Sequence, residues 1–102
     1  MEKEFDLLLT GGLVVTGDRV RRADVGILGE SIAAVRRDLP PEATRETIDV
    51  SGRYVFPGVI DAHVHPVYLD TVEDCSRVAA YGGTTTLLFY AYARLGDSLS
   101  EK

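Results

Sequence analysis

Pro57-Gly58-Val59-Ile60-Asp61-Ala62-His63-Val64-His65 is where the chain changes character. The run after Pro57-Gly58 is short, apolar and rich in β-branched residues, the composition of a strand buried in a parallel sheet. Behind it, Thr71-Val72-Glu73-Asp74 fits a capping box with Thr71 as N-cap and Asp74 reaching back. Val72, Cys75, Val78 and Ala79 then recur at helical spacing, and Gly82-Gly83 supplies the stop. Residues 84–90 read as a second buried strand. Strand, helix and strand within about 30 residues predict a βαβ unit and hence a parallel sheet.

Upstream of Pro57 the pattern is different. Residues 5–10 and 13–16 are apolar runs on either side of Gly11-Gly12, a pair that predicts a hairpin turn because both central positions favour positive φ. Thr16-Gly17-Asp18-Arg19 and Gly29-Glu30 predict two further turns, and Ser51-Gly52-Arg53 a fourth. Leu39-Pro40-Pro41 cannot lie in a central strand, since two prolines remove two ladder donors. The expectation is an α+β chain in two parts. Residues 1–56 form an antiparallel β-sandwich front, and residues 57–102 begin an α/β domain. A second capping box, Ser98-Leu99-Ser100-Glu101, announces a helix just before Lys102, which reads as the front portion of a longer protein.

Composition narrows the partners. The chain has 102 residues, 45% of them hydrophobic and 26% charged, which is globular composition and not that of a disordered segment. Sixteen acidic against eleven basic residues leave a net charge of −5, contrary to the basic face that nucleic acid or an anionic membrane requires. Cys75 is the single cysteine, so neither an internal disulfide nor a cysteine-rich zinc site can form. Met1-Glu2-Lys3-Glu4 is too polar for a signal peptide, and the longest apolar run, residues 87–93, is too short to span a bilayer. A cytoplasmic protein is expected.

The chemistry gathers on the strand after Gly58. Asp61, His63 and His65 alternate, and a side-chain period of two would project all three from one face, about 7 Å apart per step. Two imidazoles on one face can converge on one divalent ion, with ring nitrogens at about 2.0–2.1 Å from zinc. The simpler alternative is two unrelated histidines on a strand. Against it, the chain has two histidines in all and both fall within three residues of each other. Asp61 has three open roles: a ligand, an orienting partner of a histidine, or an acceptor for backbone donors at the strand entry. Cys75 reads as a small core residue. Tyr68, Tyr81, Tyr90 and Tyr92 read as packing, and Arg19, Arg21, Arg22, Arg36 and Arg37 as solvated. Gly82-Gly83-Thr84 lacks the lysine and the longer glycine spacing of a phosphate loop.

The stretch from Pro57 to His65 resembles the PG-x-I-D-x-H-x-H signature of the amidohydrolase superfamily. The β-rich front resembles that family's small β domain. Thr71-Val72-Glu73-Asp74, Ala79-Ala80-Tyr81-Gly82-Gly83-Thr84-Thr85 and Gly96-Asp97-Ser98-Leu99-Ser100-Glu101 are similar to its dihydropyrimidinase and hydantoinase branch. The resemblance covers about the first quarter of such an enzyme. It implies that residues 57–102 open a TIM-type (β/α)8 barrel. It also implies that His63 and His65 hold one ion of a two-metal site, with zinc the expected divalent metal and Asp61 a possible second-sphere partner. The bridging lysine, two more histidines and the catalytic aspartate would follow downstream. The substrate would be a cyclic amide or ureide, the assembly a homo-oligomer, and the remainder of the enzyme chain a necessary partner, so that this portion alone is inert.

Two positions depart from the branch. Pro66 follows His65 where an aromatic residue is more usual, and Leu88-Phe89-Tyr90 stands where an aspartate is usual. Two other classes of function stay open on the sequence: a non-catalytic dihydropyrimidinase-like interaction protein, and an autonomous β-rich binding domain.

Overall fold

The computed structural model describes residues 3–65 and 71–90, and the chain divides into two compact units, Met1–Pro57 and Gly58–Lys102. In the first unit β1 (Phe5–Val15), β2 (Val20–Leu28) and β3 (Ser31–Arg36) are followed by a 3-10 turn at Pro41–Ala43. Then come β4 (Thr44–Asp49) and β5 (Tyr54–Val55). The sheet order is β3-β2-β1-β4, with β5 also paired to β1. The turns expected at residues 16–19 and 29–30 join β1 to β2 and β2 to β3 as antiparallel pairs. The Thr16 N–H donates to the Arg19 carbonyl at 2.9 Å, closing the first of them.

Two expectations for this unit are corrected. Gly11-Gly12 is no hairpin turn: β1 runs straight through it, and the register with β2 slips between Leu9 and Gly12. Gly11 takes φ +80, as a turn would need, but the extra residue is absorbed as a bulge whose N–H donates to Asp24 Oδ1 at 3.0 Å. A Cβ at Gly11 would overlap the Ser51 side chain, and one at Gly12 would stand 2.9 Å from methyls of Val50 and Val55. The glycines admit the neighbouring segment. Nor is the front purely antiparallel: its described strands form one mixed sheet, in which β4 and β5 run parallel to β1. Parallel neighbours need a crossover rather than a tight turn. Here β2, β3 and the Pro41–Ala43 turn supply it, returning the chain to the starting end of β1, where Phe5 pairs with Thr44.

The core of the unit is small. Phe5, Leu8 and Leu39 bury against Ala34 and Ala43, and Val14, Ala23 and Val25 against Leu9, Ile27, Val35 and Val55. Asp24 ties the two together from the middle of β2. Its second carboxylate oxygen accepts from the Leu39 N–H at 3.0 Å, so one side chain holds both the β1 bulge and the Leu39 plug.

In the second unit β6 (Val59–Val64), α1 (Val72–Tyr81) and β7 (Thr84–Phe89) form the strand–helix–strand sequence expected, with β6 and β7 parallel. The Thr71 hydroxyl accepts from the Asp74 N–H at 3.1 Å, and Gly83 leaves the helix at φ +87. The Val59 N–H then donates to the Gly83 carbonyl at 2.9 Å, tying the end of the helix to the start of β6. Gly58 lies against Thr85 of β7, whose side chain occupies the place a Cβ would take. Cys75, Val78 and Ala79 of α1 line a cavity of about 270 Å³ with Asp61, Val64, Thr84 and Leu87. Cys75 is half-buried there rather than a core residue, and Val78 is 71% exposed. The described part of this unit has one helix over two strands, so no second layer covers that stripe. The helix announced at residues 98–101, together with Pro66, Tyr68 and Tyr92, lies outside the described residues. Among the described residues no helix is long and apolar enough to cross a membrane.

Candidate metal centre

β6 forms because Val59, Ile60 and Val64 favour a pleated strand, and its backbone ladder with β7 fixes where its end lies. The ladder is irregular at the point that matters. Asp61 pairs with Leu87 and Val64 with Phe89, so three residue steps on β6 meet two on β7. Such an irregularity re-aims side chains, as bulges beside functional sites do. Asp61 and Val64 consequently line the same cavity beside α1, although strict alternation would put them on opposite faces. The three-residue face expected from the sequence is therefore broken between Asp61 and the histidines.

His63 and His65 do come together. Their Nε2 atoms are 2.8 Å apart and their ring centroids 4.8 Å apart. One imidazole donates and the other accepts at that distance. His63 is exposed and His65 half-buried at the end of β6. Asp61 acts on the backbone: its Oδ1 accepts from the His63 N–H at 3.2 Å, two residues along. Among the described residues no third histidine, cysteine, aspartate or glutamate joins the pair.

Tyr90, assigned to packing on the sequence, belongs to this group. Its ring stacks on His65 at 4.8 Å with planes 9° apart, and stands 4.8 Å from His63 at 50°. The Tyr90 N–H donates to the Val64 carbonyl at 3.1 Å, which sets Tyr90 beside the histidine end of β6. The sequence held no signal for this, because the juxtaposition is made by the strand register. Tyr90 stands one residue past β7 as His65 stands one past β6, and Val64 pairs with Phe89.

The donor set suits a divalent cation. Two neutral imidazoles are the commonest nitrogen ligands for zinc and its neighbours, and two nitrogens on one tetrahedral ion lie about 3.3 Å apart. The observed 2.8 Å separation is within a small side-chain rotation of that value. The pair alone is not a closed site, because zinc takes four ligands, or three and a water.

No protein-family model matches the chain. It is similar to a D-hydantoinase from Ralstonia pickettii, 39% identical over 95% of this chain and 22% of that protein. An allantoinase from Deinococcus radiodurans is 42% identical over 82% of this chain and 20% of its own length. The chain thus spans about a fifth of the length of these curated relatives. Among solved structures, a D-hydantoinase aligns with a TM-score of 0.82 at 39% identity, covering 95% of this chain and 22% of that one. A D-aminoacylase with a binuclear metal centre aligns with a TM-score of 0.71 at 37% identity, over 94% of this chain and 22% of that one. An N-acyl-D-glutamate deacylase from Bordetella bronchiseptica, complexed with zinc and a phosphonate inhibitor, aligns with a TM-score of 0.67 at 37% identity, over 84% and 18% respectively.

Proposed function

Since the chain belongs to the amidohydrolase superfamily and matches the N-terminal portion of its hydantoinase members, we propose that it is the metal-capturing front part of a hydrolase that opens a carbon–nitrogen bond of a cyclic amide or ureide. The observation that carries this reading is the convergence of His63 Nε2 and His65 Nε2 to 2.8 Å. In it, β6, α1 and β7 are the first βαβ unit of a (β/α)8 barrel. The histidines then stand at the carboxyl end of the first strand, where barrel enzymes place their chemistry. Residues 1–56 are the start of the small β domain.

His63 and His65 would hold one divalent ion, zinc in our reading, of a two-metal site in the complete enzyme. Such an ion supplies Lewis-acid polarisation of a carbonyl and acidification of water. The chain's own part is to present and orient ligands. Each histidine offers a ring nitrogen, and Asp61 fixes the His63 backbone through its N–H. With two ligands, and neither a general base nor a bridging group beside them among the described residues, the 102-residue chain by itself is inert. A non-catalytic scaffold would have no use for two converging imidazoles at a strand end.

The test is hydrolysis of hydantoin and dihydrouracil by the complete protein, before and after chelation. Ring opening that is lost on chelation and restored by zinc is the expected result. Turnover that survives full metal removal overturns the reading.

A further inference from the structure

We propose that Tyr90 is a positioning residue for the histidine pair: its ring is the platform that holds His65, and through it His63, in the orientation that captures the ion. The inference rests on the reading of His63 and His65 as metal ligands and adds a third side chain to it.

Three observations place Tyr90 in this role. Its ring lies nearly parallel to His65, 9° between planes at 4.8 Å, so the contact is made on the face of the imidazole while its edge carries the Nε2 that meets His63. The same ring stands 4.8 Å from His63 at 50°, so one aromatic surface meets both imidazoles. Its own position is fixed by the sheet, through the N–H bond to the Val64 carbonyl at 3.1 Å. A ligand at a strand end otherwise has free χ rotations, and a ring held by a neighbour loses less freedom when it binds. Both contacts are made by the ring and not by the hydroxyl, so the face of the ring carries the function. Phenylalanine should therefore replace it, whereas leucine, with no flat face, should not.

The test uses the metal-free chain and then zinc. The chain has two histidines, so two imidazole Hε1 signals report the whole site by NMR. In the parent chain and in Tyr90→Phe, the stacked ring should shift the His65 signal upfield, and zinc should bind with affinities within about twofold of each other. In Tyr90→Leu the upfield shift should vanish and zinc affinity should fall about tenfold, the lower end of what loss of an orienting partner costs a metal site. Retained exchange protection of the residue-90 N–H in both variants shows that the strand end is intact. If it is lost in Tyr90→Leu, the same readings are taken on Tyr90→Val, whose β-branched side chain suits a strand end. An unchanged His65 shift, or unchanged zinc affinity in the variant that keeps residue-90 protection, overturns the proposal and leaves the metal reading in place. A parent chain that binds no zinc at all overturns the metal reading and the platform role with it.

Discussion

Alanine at Gly58 should damage the histidine strand without touching a histidine. A Cβ there would overlap the Thr85 hydroxyl and stand 2.6 Å from Thr85 Cγ2 and 2.7 Å from Thr85 Cβ. Carbon atoms in contact sit at about 3.5–4.0 Å, so the overlap is about 1 Å. Rotating Thr85 does not relieve it, because a β-branched side chain is stiff at χ1 and its Cβ moves only with the backbone. The start of β6 must therefore shift against β7. Overpacking of this kind costs about 1–3 kcal/mol, and a central value of about 2 kcal/mol is about a 30-fold loss of protection. Amide hydrogen exchange at Val59 and Tyr90 reads it directly, because those N–H groups bond to Gly83 and Val64 across the unit. Thr85→Gly removes all three offending atoms, so Gly58→Ala should cost little when measured in that background, a coupling of about 2 kcal/mol. Unchanged protection at both amides in Gly58→Ala, or an equal loss with and without the Thr85 side chain, would mean that the Gly58–Thr85 contact does not set the start of β6.

In the first unit, Gly26→Ala should destabilise by about 1–3 kcal/mol, since its Cβ would stand 2.7 Å from the buried Phe5 ring, and chemical denaturation of Phe5→Leu with Gly26→Ala should recover part of the loss. Asp24→Asn leaves one of two backbone N–H donors without its carboxylate acceptor, so thermal unfolding should fall by about 10 °C, corresponding to about 2 kcal/mol. The Ser51 hydroxyl, followed by the Ser51 N–H, holds the Asp49 carboxyl below its ordinary value of 3.8. A lowered folded-state pKa brings stability that is complete above 3.8 and lost as pH falls through the folded value. Urea midpoints measured down the acid limb should therefore fall less steeply in Asp49→Asn than in the parent.

Local chemistry carried much of the fold into the sequence. The turns at residues 16–19 and 29–30, the Thr71 cap and the Gly82-Gly83 stop each depend on a few adjacent residues, and each is where expected. Gly11-Gly12 misled because a hairpin turn and a bulge both call for positive φ. What separates them is the approach of Ser51, Val50 and Val55, some forty residues away. The parallel placing of β4 was hidden for a similar reason: nothing in residues 44–49 says which edge of β1 receives them. At the candidate site, the histidine pair was legible from spacing alone. The separation of Asp61 from it was not, because the irregularity between Asp61 and Val64 exists only in the pairing with β7. Tyr90 was invisible for the same cause, since its partnership with His65 is made across the sheet.

A zinc titration of the 102-residue chain, followed at its two imidazole signals, shows whether His63 and His65 act as one metal-binding pair. Both signals should move together along one saturation curve, with weak affinity because two ligands do not close a zinc site, and the curve should disappear in His63→Ala and in His65→Ala. Signals that do not respond to zinc, that respond independently of each other, or that still saturate after either histidine is replaced would contradict that pairing.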